Sequence, residues 1–120
     1  MLGVQYGYYK PSEWKTAYYA DVILDCWVDI LEKTNGLALS PDATREQKEK
    51  MMVDVIEKYH VPALNLMEKL LEKHGGKYIA GDELTIADCA MVANLVNIWE
   101  NKAGPWNEIC KPYLAKYSLV

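Results

Sequence analysis

The sequence predicts an all-α helical bundle, and three observations support this fold class. A capping box at Thr85 and Asp88 opens residues 86–99, in which only three residues are polar. Apolar residues recur at three- and four-residue spacing in the other long segments. Strand-like alternation never extends beyond a few residues. A helix that is apolar nearly all round belongs inside a core, so the helix that starts at Thr85 is expected to be central and buried.

Composition limits the class of protein. The chain has 120 residues, 51% hydrophobic and 25% charged, which fits one globular domain rather than a disordered or membrane-spanning chain. Its net charge of -4 gives no electrostatic reason to bind nucleic acid or an anionic membrane. Cys26, Cys89 and Cys110 each fall in an apolar helical context, so all three are expected to be buried packing thiols. No signal peptide is recognisable, so a cytoplasmic location is expected.

The first helix is expected to follow a short arm. Residues 6–11 should be extended, because Pro11 disfavours a helix at the residue before it. Ser12 is a plausible N-cap for a helix over about residues 13–33. Its two apolar seams cover more than half of the circumference, so it should pack on two sides. The Asn-Gly pair at 35–36 is expected to end it in a turn.

The second helix is expected to be long and bent. Thr44 and Gln47 form a capping box at its start. Pro62 lies inside the apolar pattern, where it removes one backbone donor and should bend the helix near residues 58–61 rather than end it. Gly75 is the expected left-handed residue that closes the helix.

The third and fourth helices complete the expected bundle. The central helix should run from Thr85 to about Glu100, with the Asp88 carboxylate accepting from the N–H of Thr85. We therefore interpret Asp88 as a folding device rather than a catalytic acid. Pro105 suits the first position of a fourth helix, and Pro112 should make that helix short or kinked.

Several kinds of catalytic motif are absent from the sequence. It has no glycine-rich phosphate loop after a strand, no paired-cysteine metal spacing and no histidine pair one helical turn apart. No serine, histidine and acid arrangement suggests itself. His60 and His74 are isolated, and both are expected to be structural or surface residues.

One pattern remains as a candidate site. Asp21, Asp25 and Asp29 follow one another at four-residue spacing along the first helix, with apolar seams on both sides. No basic residue lies four positions from Asp21 or Asp25, whereas Lys33 follows Asp29 at that spacing. Such a stripe can simply be a solvated helix face. It also suits a cation from outside: a ligand amine, a partner Lys or Arg, or a divalent cation.

The sequence resembles a known family at three places. Residues 81–88, GDELTIAD, resemble the N-capping segment of the C-terminal helical domain of glutathione transferases. Residues 21–29, DVILDCWVD, look like the first helix of that domain in the sigma, mu and related classes. Residues 2–9 look like the end of the preceding domain and its linker. The implied organisation is a linker over residues 1–11 and a helical domain over residues 12–120.

The resemblance implies an activity and a set of site residues. The complete enzymes join the thiolate of glutathione, which is a co-substrate, to small electrophiles, and no separate cofactor is implied. Asp29 is implied to hold the γ-glutamyl amino group of glutathione bound to the other subunit. Asp21 and Asp25 match a stripe that in the sigma class can include divalent-cation ligands. The pocket for the electrophile is implied to include three residues that flank Asp29: Val28, Leu31 and Glu32.

The resemblance also implies what these 120 residues lack. The thioredoxin-like domain, which activates the thiol, and the family's final helix have no counterpart in them, so the chain alone is not expected to catalyse conjugation. A homodimer or larger assembly through the first two helices is expected. Two other interpretations remain open: a helical module used for protein–protein assembly without catalysis, and a helical bundle that is similar only by coincidence.

Overall fold

The computed structural model describes residues 2–118, apart from the side chain of Ala38, and these residues contain helices and no strand. We number the α-helices in chain order. Two turns are π-helical, Ile56–His60 between the third and fourth helices and Leu95–Glu100 after the fifth. The α-helices are α1 (Leu2–Gln5), α2 (Trp14–Ala38), α3 (Arg45–Val55), α4 (Val61–Lys73), α5 (Ile86–Asn94) and α6 (Asn107–Leu114). The all-α prediction is confirmed.

Helix α2 is the longest element, and it packs against α3 and α5. Its inward side carries Ile23, Trp27 and Ile30, each at most 2% exposed. They join one continuous core with Met67 of α4 and side chains from the other long helices. Burying an aliphatic or aromatic side chain of this size stabilises the fold by about 1.5–3 kcal/mol, so this interface is a main source of stability.

The predicted N-cap and the predicted C-terminal end of α2 were wrong. Glu13, rather than Ser12, occupies the N-cap position; its side chain makes no capping hydrogen bond and forms an ion pair with Lys10. The helix continues past residue 33 and past the Asn-Gly pair to Ala38. Thr34 and Leu37 are buried on its inward side. Their packing outweighs the local cost of a glycine in a helix, which is about 1 kcal/mol.

The long second helix continues past Pro62, as the sequence predicts, and a π turn lies at the place where the bend is expected. The Thr44 and Gln47 capping box is present, and α3 leads through the first π turn directly into α4. The N–H of Val61 donates to the carbonyl of Ile56, five residues back, in the wider spacing of a π turn. Pro62, which lacks an N–H, follows immediately. The turn thus brings the chain past the proline without ending the helix.

The segment after α4 begins with a Schellman motif. The N–H of Gly76 donates to the carbonyl of Leu71 at 2.7 Å, and that of Gly75 to Glu72 at 3.3 Å. Gly75 has φ of +87°, as predicted for a left-handed cap. The last carbonyls of α4 are therefore satisfied within the turn.

We predict opposite effects for alanine at two glycines that both have open space around them. Gly75→Ala should destabilise the fold by about 1 kcal/mol, because an L residue is strained at positive φ. Gly36→Ala should stabilise it by about 0.5–1 kcal/mol, because Gly36 lies inside α2 in a helical conformation. Urea unfolding followed by circular dichroism measures both. Effects of the same sign would contradict the cap assignment.

The central position of α5 is only partly as expected. The capping box of Thr85 and Asp88 starts it, and Ala87, Asp88 and Met91 are buried. However, the opposite side is open to solvent, with Val92 56% and Val96 49% exposed. The prediction of burial all round was therefore wrong. Helix α5 has one buried side and one exposed side, although both sides carry apolar residues.

The predictions for the last helix were partly confirmed. Helix α6 is short, as predicted from Pro112, but it begins at Asn107 rather than at Pro105. The side chain of Asn107 turns inward and donates to the carbonyl of Trp99 at 2.6 Å. No helix within residues 2–118 is both long and apolar enough to cross a membrane.

The three cysteines are all free thiols, but they differ in environment. Cys110 is buried, as predicted, and burial raises its pKa to about 12. Cys26 is half-buried, whereas Cys89 is exposed. The prediction of a buried thiol was wrong for Cys89, because it falls on the open side of α5.

Candidate functional site

A groove between α2 and the bend that leads into α4 is the candidate site. It has a volume of about 270 Å³ and contains the aspartate singled out by sequence. Its walls are apolar apart from one carboxylate, one ammonium and one phenol. The lining residues are Cys26, Asp29, Ile30, Lys58, Tyr59, Pro62, Ala63 and Leu66. The π turn before Pro62 places Lys58 and Tyr59 opposite α2.

The carboxylate of Asp29 is available to a ligand. Asp29 is exposed, and within residues 2–118 it accepts no hydrogen bond and forms no ion pair. Lys58 lines the same groove, but its ammonium lies 5.5 Å from the centre of the Tyr59 ring. Lys33 approaches the same ring at 5.9 Å. Both ammonium groups therefore have an aromatic neighbour, and the carboxylate can receive a cation from outside.

The thiol of Cys26 is not suited to act as a nucleophile in this groove. Burial raises its pKa, and the negative charges of Asp29 and Asp25 raise it further. The thiolate is the reactive form of cysteine, and here both causes oppose its formation. Cys26 therefore contributes packing to the groove wall rather than reactivity.

The three residues expected in the electrophile pocket do not line the groove that contains Asp29. Val28 is 61% exposed, Glu32 is exposed, and Leu31 packs half-buried against the core. At positions i, i+3 and i+4 of α2 the three residues are neighbours on one helix face, and their place in an electrophile pocket stays a prediction.

The other two aspartates of the stripe differ from each other. Asp21 accepts a hydrogen bond from the Tyr9 phenol at 3.0 Å, and this bond raises the pKa of Tyr9. The view of the stripe as wholly unpaired was therefore wrong at Asp21. Asp25 is exposed. Among residues 2–118, no group of three or more His, Cys, Asp or Glu could hold a metal ion.

Asp88 has a structural role at the start of α5. One carboxylate oxygen accepts from the N–H of Thr85 at 2.9 Å and from its hydroxyl at 3.2 Å. The other oxygen accepts from the N–H of Ile79 at 2.8 Å. Asp88 is 6% exposed. Both oxygens are occupied by the fold, which leaves no role for this group as a catalytic base.

The two histidines also contribute to the fold. His60 is fully buried, and its Nε2 lies in a 3.1 Å hydrogen bond with the hydroxyl of Thr34. Burial lowers its pKa to about 4. The Nδ1–H of His74 donates to the carbonyl of Ile79 at 2.8 Å. Neither ring lies in the Asp29 groove.

The sequence indicated only part of this site. Spacing singled out the three aspartates of the stripe, and the family resemblance selected Asp29 among them. Lys58 and Tyr59 were missed, because they come from the π turn between α3 and α4, which meets α2 only in the folded chain. The bend predicted at Pro62 was the one signal in the sequence that could have brought Lys58 and Tyr59 into consideration. Tyr9 was also missed as the partner of Asp21, since nothing in the arm fixes its path before folding.

Comparison with known proteins gives one match. The model of a family described as the glutathione S-transferase C-terminal domain matches residues 28–117, which are 90 of the 120 residues. No curated protein and no solved structure matches the chain. The matched range includes Asp29 and the groove wall from α4, but it begins after Asp21 and Asp25.

Proposed function

Because the chain belongs to the glutathione S-transferase C-terminal domain family, we propose that it is the helical part of a sigma- or mu-like glutathione transferase. In the complete enzyme the sulfur of glutathione thiolate bonds to an electrophilic carbon, and an electron pair of that carbon either departs with a leaving group or moves onto the neighbouring atom, which then takes up a proton. This part contributes a wall of the electrophile pocket, together with a carboxylate that reaches the glutathione of the other subunit. A thioredoxin-like domain binds the rest of glutathione and activates its thiol.

The observation that carries this proposal is the state of Asp29. Its carboxylate is exposed, lies in a mostly apolar groove and has no hydrogen bond or ion pair within residues 2–118. A free carboxylate complements the amino group of a γ-glutamyl ligand. Two unit charges 4 Å apart attract by only about 1 kcal/mol in water, but by more where a second subunit excludes solvent. The proposed contact therefore gains most of its strength from dimerisation.

A second surface supports the presence of a covering domain or subunit. The open side of α5 and the second π turn presents Cys89, Val92, Ala93 and Val96 to solvent. Two of these are large apolar side chains at or above 49% exposure. Contiguous apolar surface of this kind marks an interaction site. The thioredoxin-like domain is the proposed occupant in the transferase.

The same surface favours a second candidate function, that of a non-catalytic module in a larger complex. In that role the open side of α5 binds another protein, and Asp29 has no ligand. The two candidates therefore differ in one requirement. The transferase needs a glutathione contact at Asp29, and the assembly module does not.

We predict that glutathione binds the chain weakly and that Asp29→Asn reduces the affinity. An ion pair at an exposed carboxylate contributes about 0.2–1 kcal/mol, so the dissociation constant should rise by up to about fivefold. Glutathione titration of the ¹⁵N-labelled chain, followed by NMR shifts, measures this effect. Shifts should concentrate around the Asp29 groove. Asp25→Asn, one helical turn away, is the matched control and should leave the affinity unchanged.

Two outcomes would count against the proposal. If saturating glutathione moves no resonances near the groove, the assembly role is favoured over the transferase. If Asp29→Asn and Asp25→Asn bind glutathione as the wild type does, the carboxylate has been assigned to the wrong residue.

A further inference from the structure

A second groove lies at the other end of α2. It is bounded by the first turns of α2, the last turn of α4 and the loop that leads to α5, and its volume is about 400 Å³. Trp14 is about 22 Å from Asp29 along the helix axis, at the usual rise per residue. The two grooves are therefore separate, and the second has no part in the proposed glutathione contact.

The wall formed by α2 is aromatic and open. Trp14 and Tyr18 are four residues apart, so they are neighbours on one helix face. They are 69% and 58% exposed, respectively. The other three tryptophans of the chain are buried. An exposed pair of Trp and Tyr lowers solubility. Trp and Tyr are also typical of the residues that dominate binding energy at protein interfaces.

Cations stand on two sides of this groove. The ammonium of Lys15 lies 5.6 Å from the centre of the Trp14 ring on the α2 side. On the α4 side, Lys73 donates to the hydroxyl of Tyr19 and lies 4.8 Å from the centre of that ring. Tyr19 itself stacks edge-on with His74 at 5.1 Å. These contacts hold the Lys73 ammonium in place instead of leaving it on a freely rotating side chain.

The floor of the groove is made of small residues. Ala80 is buried, and a Cβ added at Gly81 would lie 3.3 Å from the hydroxyl of Thr16. Asp82 is the one acidic residue in the lining. The absence of a side chain at Gly81 therefore lets the loop lie close against α2. The charges that line the groove are positive on the α2 and α4 sides and negative at the loop.

We propose that this groove binds an extended acidic segment of a partner protein. An apolar or aromatic side chain of the segment packs between Trp14 and Tyr18, and carboxylates on either side of it pair with Lys15 and Lys73. A site for a small molecule encloses most of its ligand. This groove leaves both aromatic rings largely exposed, which fits a segment lying across the surface better than an enclosed small ligand.

Fluorescence anisotropy with labelled peptides tests the proposal on the full chain. The probe is a short blocked peptide that alternates Glu with Leu around one Tyr, and the control peptide replaces each Glu by Gln. The Glu peptide should bind at least about tenfold more tightly, and its affinity should fall as salt is raised. Equal binding of the two peptides would overturn the proposal.

Variants of the chain locate the binding site. Trp14→Ala and Lys73→Gln should each weaken binding of the Glu peptide about tenfold, as expected for central interface residues. Asp82→Asn should strengthen it a few-fold, because a repelling charge is removed. Lys116→Gln is the matched control, since the Lys116 ammonium also lies close to a tyrosine ring, at 5.4 Å, but elsewhere on the surface. If Trp14→Ala binds the peptide as the wild type does, the site is wrong.

Two further measurements distinguish this proposal from its alternatives. Asp29→Asn should leave peptide binding unchanged, so failure of the glutathione contact and failure of this groove are distinguishable. Naphthalene-2-sulfonate serves as a small aromatic anion. If it binds more tightly than the Glu peptide, and Trp14→Ala abolishes that binding, the groove is a small-molecule site and the peptide proposal is overturned.

Discussion

Replacing Asp88 by Ala is expected to destabilise the fold by about 3 kcal/mol. The substitution removes the acceptors of two backbone N–H groups, those of Ile79 and Thr85. Both residues are at most 5% exposed, so water cannot replace the lost acceptors without opening the structure. A buried donor left without a partner costs about 1–3 kcal/mol. Capping alone would give about 1 kcal/mol, and the bond to Ile79 accounts for the larger value.

Chemical denaturation followed by circular dichroism measures this loss. Asp88→Asn keeps one carbonyl oxygen as an acceptor, so its effect should be smaller than that of Asp88→Ala. Asp54→Ala changes an exposed aspartate of α3 and is the matched control, with an effect within about 0.5 kcal/mol. If Asp88→Ala is no less stable than that control, the carboxylate does not have the structural role assigned to it.

His60 is expected to make the stability depend on pH. Burial lowers its pKa from 6.5 to about 4 in the folded chain. The folded state therefore binds the proton less well than the unfolded state does. The contribution of neutral His60 is complete above pH 6.5 and is lost as the pH falls from 6.5 to about 4. Each unit of difference in pKa corresponds to about 1.4 kcal/mol, so the total is about 3 kcal/mol.

His60→Gln isolates this effect, because glutamine does not titrate and can still form a hydrogen bond with Thr34. The free energy of unfolding of the wild type, relative to the variant, should fall by about 3 kcal/mol between pH 7 and pH 4. Parallel pH profiles for the two proteins would contradict the assignment. NMR titration of the wild-type imidazole provides a second measurement, and its resonances should not titrate near the usual pKa of 6.5.

Features that depend on residues close together in the chain were predictable from the sequence. The capping boxes at Thr44 and Thr85 and the left-handed Gly75 depend on groups within a few positions of one another. The bend at Pro62 follows from a missing donor inside an apolar pattern. In these cases the local chemistry and the final packing favour the same conformation, so a short window of sequence is sufficient.

The failed predictions share a cause, which is contact between distant segments. The end of α2 was misplaced because the burial of Thr34 and Leu37 outweighs the local signal of the Asn-Gly pair. The hydrogen bond from Ile79 to Asp88 was missed because a backbone donor has no sequence signature. The exposure of Cys89 depends on which sides of α5 are covered by other helices. An apolar sequence does not show how many sides of a helix are covered.

For the candidate site, too, the sequence predicted local features but not contacts between distant segments. The spacing of Asp21, Asp25 and Asp29 placed the three carboxylates on one helix, and they do lie on α2, since helical neighbours follow from the period alone. The pairing of Asp21 with Tyr9 spans 12 positions and requires the arm to fold back onto α2. The groove around Asp29 likewise requires α4, so its shape could not be obtained from α2 by itself.

The segment between α4 and α5 has a consequence for how this chain can change in length. Connecting segments are usually where proteins accept insertions, because their backbone groups are solvated. Here Ile79 is held from both sides, through its carbonyl by His74 and through its N–H by Asp88, and Ala80 beside it is buried. An added residue at this point would shift the register of the bonds that start α5. The exposed connection around Pro41 carries no such constraint, so variation in length belongs there.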